Sequence, residues 1–205
     1  MTRVPFNKEQ AEALKILGPY DNGVWDDLRS PASTINPPGA EADPDIDPLD
    51  GSLLFASNRV EVLFTFQQLP HAWKQGSPLG PHIHWAKTSD EAGTVAWKLE
   101  YKLFAYNAVY PSSYTNIGIV SVPDNGNVAT QVHALTRWGY IDTSSIDDST
   151  SAMIGYKLSR VTTDLTDTYS ADARLFEFDT HYLKDSQGSL HEYTKQSRYT
   201  WQDAT

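Results

Sequence analysis

The sequence predicts an all-β protein: an antiparallel β-sandwich, jelly-roll-like, preceded by an extended Pro/Asp-rich arm and a short N-terminal helix. Three observations predict it. Apolar residues recur at every second position over much of 52–205, the period of a strand with one buried face. Turn signals divide these runs: Leu79-Gly-Pro81, Glu91-Ala-Gly93, Asp124-Asn-Gly126 and Ser186-Gln-Gly188. No helical period intervenes, and roughly eight or nine short strands without crossover helices fit a sandwich or jelly roll.

The elements follow in chain order. Asn7 is a candidate cap for a short helix, with Ala11, Leu14 and Leu17 at helical spacing before Gly18-Pro19 ends it. Residues 21–51 are dense in Pro and Asp, as in Asn36-Pro-Pro-Gly39 and Asp43-Pro-Asp-Ile-Asp-Pro-Leu-Asp-Gly51. Proline withholds a donor and restricts its predecessor, so this stretch reads as an irregular arm. Its anchors Val24, Trp25, Leu28, Ile35 and Ile46 predict packing on its own domain or on a neighbouring subunit. The division expected is therefore 1–51 for helix and arm and 52–205 for the sandwich.

Within the sandwich, Val60, Val62, Phe64 and Phe66 alternate with Glu61, Leu63, Thr65 and Gln67. The clearest strand is Val95, Trp97, Leu99, Tyr101 and Leu103, alternating with Ala96, Lys98, Glu100 and Lys102. One apolar and one charged face mark an antiparallel strand with one side wet. Further strands are predicted at 53–56, 82–86, 117–122, 128–135, 152–160, 174–183 and 192–199.

Composition narrows function. The 205 residues suit one domain, or one domain with an ordered extension. Sixteen Lys and Arg against twenty-six Asp and Glu give a formal net charge of −10. That balance argues against nucleic acid, whose phosphates need clustered cations, and against an anionic membrane. The absence of cysteine removes disulfides, thiolate nucleophiles, zinc–thiolate sites and iron–sulfur clusters. The first residues hold no apolar stretch of a secretory signal, and no apolar run reaches membrane-spanning length. A soluble protein made in a cytoplasm is expected.

The residues carry no catalytic signature: no phosphate-binding glycine loop, no Gly-x-Ser-x-Gly elbow and no His-Glu-x-x-His. No catalytic residue, cofactor or resident metal is assigned. The most suggestive local feature is Pro81-His-Ile-His-Trp85. Histidines at i and i+2 on a strand point to one face and can share a metal. Asp179 and His181 share a face of another strand and complete such a site only if the two strands are neighbours. The motif is cupin-like, but the glutamate that should follow would be Glu91, too far along. The plainer reading is a pair of strand histidines hydrogen-bonded to backbone or carboxylate. Paired carboxylates at Asp26-Asp27, Asp147-Asp148 and Glu177 with Asp179 read as turns, loops and salt bridges. Trp73, Trp85, Trp138 and Trp201 are candidates for a carbohydrate platform. The alternative places Trp85 and Trp97 in the core and the others at contacts within an assembly.

Several motifs occur together in a set order: Val24-Trp-Asp-Asp-Leu-Arg29, Asn36-Pro-Pro-Gly39, Gln68-Leu-Pro-His-Ala-Trp-Lys-Gln-Gly76, Pro81-His-Ile-His-Trp85, Val95-Ala-Trp-Lys-Leu-Glu-Tyr101 and Ala173-Arg-Leu-Phe-Glu-Phe-Asp-Thr-His-Tyr182. With this order and spacing the chain resembles a family of small virion-associated proteins of tailed bacteriophages whose role is unassigned. The resemblance runs from about residue 25 to 192. It implies a non-enzymatic virion structural protein, assembled in the host cytoplasm. The place implied is accessory, as capsid decoration, collar or head fibre, or tail. Partners implied are copies of itself, in a trimer or ring, and other virion proteins. A host-surface glycan is the alternative ligand, and a cupin-like metal enzyme using His82 and His84 the lesser one. Interface candidates are Trp25, Leu28, Ile35, Ile46, Trp73 and Trp138.

Overall fold

A computed structural model describes residues 24–39, 42–122, 132–146, 150–185 and 188–189. The predicted helix before Gly18, the predicted strand at 192–199, Asp147-Asp148 and Trp201 lie outside these residues. Ten strands are formed among them: β1 (Val24–Pro31), β2 (Asp45–Ile46), β3 (Leu53–Phe55), β4 (Glu61–Gln68), β5 (Gly80–Lys87), β6 (Val95–Phe104), β7 (Thr115–Val122), β8 (Ala134–Arg137), β9 (Met153–Arg160) and β10 (Ala173–Lys184). They build an antiparallel, jelly-roll-like β-sandwich. One six-stranded sheet runs β2-β3-β10-β5-β8 with β1 also on β10, and one four-stranded sheet runs β4-β9-β6-β7. Among the described residues no helix is long and apolar enough to cross a membrane.

β10 organises the larger sheet. β5 flanks one side of it, while β3 and then β1 share the other. A bulge between Leu175 and Glu177 inserts one extra residue and resets the alternation. Leu175, Phe178 and Tyr182 therefore point into the sandwich, while Glu177, Asp179 and His181 fall on the outer face. Across the core, Phe55 and Trp85 pack edge-on against Trp97 at ring separations of 5.0 and 5.7 Å. Tyr156 lies on Phe178 at 4.6 Å, and its hydroxyl meets Thr180 Oγ1 at 2.9 Å, a polar tie between the sheets.

Two expectations change. Residues 24–31 are not irregular: β1 pairs with β10 over its full length, Val24 opposite Lys184 to Pro31 opposite Glu177. Its acidic residues, which read as a turn, are instead satisfied across the strand pair. Asp26 Oδ2 accepts from Lys184 Nζ at 2.8 Å and from Tyr182 Oη at 3.1 Å, and Arg29 grips Glu177 with two bonds of 2.7 and 2.8 Å. The rest of the described arm also lies on its own domain. Arg174 binds Asp47 at 2.6 Å and Asp50 at 2.9 Å, and Asn36 bridges Phe64.

The second change concerns β4. Its period is two, as predicted, but Glu61, Leu63 and Gln67 are the buried members, whereas Phe66 is half-exposed. Specific partners explain why polar side chains go inward. Glu61 accepts from the Ala56 amide and from Arg59 Nε, each at 2.6 Å. Gln67 Nε2 donates to the Leu28 carbonyl at 2.9 Å and to Ser30 Oγ at 3.0 Å. The apolar set of β4 consequently sits outside the sandwich. β8 begins at Ala134, later than the predicted strand at 128–135, of which 128–131 are not described.

Candidate functional site

The outer face of the six-stranded sheet gathers most of the chemistry that the sequence singled out. β5 and β10 are neighbours, with Asp179 directly opposite His82 and Glu177 opposite His84. β1 adds Arg29 opposite Asp179 and Asp27 opposite His181, and β8 adds Arg137 opposite His82. Cross-strand register thus turns two separate i, i+2 patterns into one cluster.

At its centre, Asp179 Oδ2 lies 3.2 Å from His84 Nε2 and 3.7 Å from His82 Nε2. His82 is 1 % exposed and Asp179 4 %. The other carboxylate oxygen, Asp179 Oδ1, is buried and has no hydrogen-bond partner. His82 Nδ1 faces the Gly80 carbonyl at 3.4 Å, a contact that favours the tautomer with its proton on Nδ1 and a lone pair on Nε2. His84 Nδ1 contacts His133 Nε2 at 2.6 Å. His181 packs its ring against His82 at 4.1 Å, but its Nε2 is taken by Asp27 Oδ1 at 3.0 Å.

Burial pushes the Asp179 carboxyl up to about 7, and repulsion from Glu177 and Asp27 adds to the rise. Burial pushes His82 down to about 4, helped by His181, and lowers His84, helped by His133. Near neutral pH these two imidazoles are therefore uncharged, which is the form that ligates metals. The contacts to Asp179 are those of neutral rings rather than ion pairs.

Of the four metal candidates, His82, His84 and Asp179 converge, with their donor atoms within 4.8 Å of one another. His181 is beside them with its nitrogen directed at Asp27. The sequence missed His133, forty-nine residues from His84, because no local motif links the two. Glu91 is elsewhere, accepting from Ser170 Oγ and, through its carbonyl, from Lys87 Nζ.

The interface candidates divide. Trp25 and Ile46 are exposed at 48 % and 67 %. Leu28 packs against the core, and Ile35, Trp73 and Trp138 are buried in it. Trp85 and Trp97 are core, as one reading held, but Trp73 and Trp138 are core as well rather than contact residues or a sugar platform. Trp73 is drawn in by a bridge to Lys184 and an indole hydrogen bond to the Ser77 carbonyl at 3.3 Å. The surface aromatics beside the histidines are instead Trp25 and Tyr140, stacked at 6.3 Å with 20° between planes. Gly80 makes room for Tyr140, whose ring lies 3.2 Å from where a Cβ would stand.

No protein-family model matches the chain, and a search of curated proteins found no match. Solved structures similar to it include the CBM36-1 domain of a multidomain xylanase from the hindgut metagenome of Trinervitermes trinervoides, at 10% identity and TM-score 0.43, covering 76% of this chain and 96% of that one. Another is Caldicellulosiruptor saccharolyticus CBM27-1 in complex with mannohexaose, at 8% identity and TM-score 0.40, covering 75% and 96%. A third is the infectious bursal disease virus VP2 subviral particle, at 10% identity and TM-score 0.35, covering 85% of this chain and 36% of that one. These likenesses are of β-sandwich architecture and extend to no ligand or partner.

Proposed function

We propose that this chain is a non-catalytic structural component of a tailed-bacteriophage virion that acts as a homo-oligomer, as an accessory of capsid, collar or tail. The observation that supports assembly is an aromatic patch on the outer face of the four-stranded sheet, beside the ion-paired Lys98, Glu100 and Lys157. There Phe64 contacts Tyr114 at 6.2 Å, Phe104 contacts Tyr110 at 5.3 Å, and Lys102 lies 4.4 Å over both tyrosine rings. Phe66 lies across Gly155 with 49 % of its surface exposed. Charged residues serve the solvent on one part of this face, and the exposed aromatics grouped on the other part favour an interaction surface. The motif order supplies the virion setting. Symmetric self-association of one such face closes a dimer, and two different faces close a ring.

Quantitative mass spectrometry of purified virions tests the setting. A copy number near that of the major capsid protein places the chain on the shell, and a small multiple of tail symmetry places it at collar or tail. Absence from the particle overturns the reading. Sedimentation of the purified protein tests assembly. Phe66→Glu is expected to weaken self-association by about 2 kcal/mol or more, roughly thirtyfold in Kd, with unchanged circular dichroism. A wild-type chain that stays monomeric at high concentration removes the oligomer.

A second reading, host-glycan recognition, is favoured by the exposed Trp25–Tyr140 stack, since such rings take sugar faces. Replacing both by alanine should then lower adsorption to host cells at least about tenfold. Unaltered adsorption, together with a silent glycan array, would end it.

A further inference from the structure

We propose that His82, His84 and Asp179 form a binding site for a divalent transition-metal ion of the Zn2+ class, held by Nε2 of each imidazole and by Oδ2 of the carboxylate. The inference goes beyond the assembly reading and does not depend on it. Ligands at 2.0–2.1 Å in a tetrahedron stand about 3.3 Å apart. The separation of His84 Nε2 from Asp179 Oδ2, 3.2 Å, matches that edge, His82 Nε2 stands at 3.7 Å, and all three donors lie within 4.8 Å, close enough for one ion to draw them in.

The surroundings are those of a prepared site. His82 Nδ1 faces the Gly80 carbonyl, the outer contact that orients a metal-binding imidazole. His84 Nδ1 and His133 Nε2 stand 2.6 Å apart, and the tautomer with the proton on His84 Nδ1 has its Nε2 free to ligate. Asp179 supplies an independent sign. Its side chain is 5 % exposed, yet Oδ1 has no hydrogen-bond partner. A buried carboxylate is costly to keep charged, and a cation held at Oδ2 between it and the imidazoles offsets that charge. Asp27 and Glu177 nearby add negative charge, partly offset by Arg29, which is paired with Glu177.

Donor chemistry sets the class of ion. Two imidazoles and one carboxylate suit Zn2+ and its neighbours, whereas Ca2+ and Mg2+ require oxygen shells. Access is from the side of His84, which is 22 % exposed while His82 is 1 % exposed. The remaining position therefore opens on that side, to water or to an oxygen or nitrogen donor of a binding partner. The ion would also clamp β5 to β10.

The test uses untagged full-length protein, stripped with a chelator and titrated with ZnCl2 by calorimetry and by thermal unfolding, with CaCl2 in parallel. One Zn2+ per chain is expected, with a melting midpoint that climbs as Zn2+ rises and no response to Ca2+. Asp179→Asn and His84→Ala should each weaken Zn2+ binding by about 100-fold or more. Asp179→Asn keeps the shape and removes the buried charge, so without metal it should melt no lower than wild type, which separates lost ligation from lost folding. Should it fail to fold, His84→Ala, at the exposed rim, decides alone. Binding well below one ion per chain, binding undiminished in the variants, or an equal response to Ca2+ overturns the proposal.

Discussion

Replacing Arg160 by leucine is expected to destabilise the chain by about 3–5 kcal/mol, the cost of stripping one partner from a buried charge. Arg160 ends β9 and is fully buried. Its guanidinium binds Asp167 with two bonds, of 2.9 and 3.0 Å, and donates to the carbonyls of Phe55, Ala171 and Tyr169. Those acceptors belong to β3 and to the connection between β9 and β10. One side chain therefore ties β3 of the larger sheet to the loop that closes that end of the sandwich. Without it, Asp167, whose side chain is 2 % exposed, stays buried as an unpaired carboxylate, and three carbonyls lose a donor. Among the described residues the Ala96 amide, at 3.0 Å, still serves Asp167. Lysine lacks the planar fork, so Arg160→Lys should recover less than half of the loss. Urea denaturation of the three proteins checks this, and a loss below about 1 kcal/mol for the leucine variant would show that the network contributes little.

Gly93→Ala is expected to cost about 2–4 kcal/mol, from backbone strain and overpacking together. Gly93 has φ +146°, a conformation that side chains rarely adopt. A Cβ there would stand 2.6 Å from Tyr169 Cα and 2.7 Å from the Thr168 carbonyl oxygen, both main-chain atoms that cannot swing away. The approach is tight because the two loops are sewn together. Thr168 and Tyr169 amides donate to the Thr94 carbonyl at 2.8 and 3.0 Å, and the Tyr169 hydroxyl accepts from the Thr88 and Ser89 amides at 3.1 and 2.9 Å. Gly139→Ala is the control, since nothing lies within 4 Å of its Cβ position, and it should stay within about 0.5 kcal/mol. Thermal or urea unfolding reads both. Because Arg160 binds the Tyr169 carbonyl, the two variants share a loop, and their combined cost should fall short of the sum.

The strands that were easiest to read are those whose alternation is strict. β6 buries Val95, Trp97 and Leu99, and β9 and β10 begin and end within a residue or so of the predicted runs. β1 escaped notice because Asp26 and Asp27 are poor strand formers, and their partners Lys184, Tyr182 and His181 lie more than 150 residues away. β4 shows the complementary failure. Its period was visible, yet hydropathy pointed to the wrong face, because Glu61 is satisfied by the nearby Ala56 amide and Arg59, and Gln67 by the distant Leu28 and Ser30. Trp73 and Trp138 likewise give no local sign of whether they fill a core or face a partner.

The sequence by itself determined the fold class and placed His82 with His84, and Glu177, Asp179 and His181 with one another, since pleating alternates side chains along any strand. It also excluded thiol chemistry outright, because there is no cysteine. Only the tertiary structure decided that β5 lies beside β10, bringing two histidines and one buried carboxylate to a single point. Only the tertiary structure added His133, joined β1 to the sheet and turned the aromatic row of β4 outward. The physical reason is the range of the forces involved. Alternation is imposed by the backbone one residue at a time, whereas strand adjacency depends on distant partners, and the choice of buried face on which polar groups, near as for Glu61 or far as for Gln67, find partners when the sheets close.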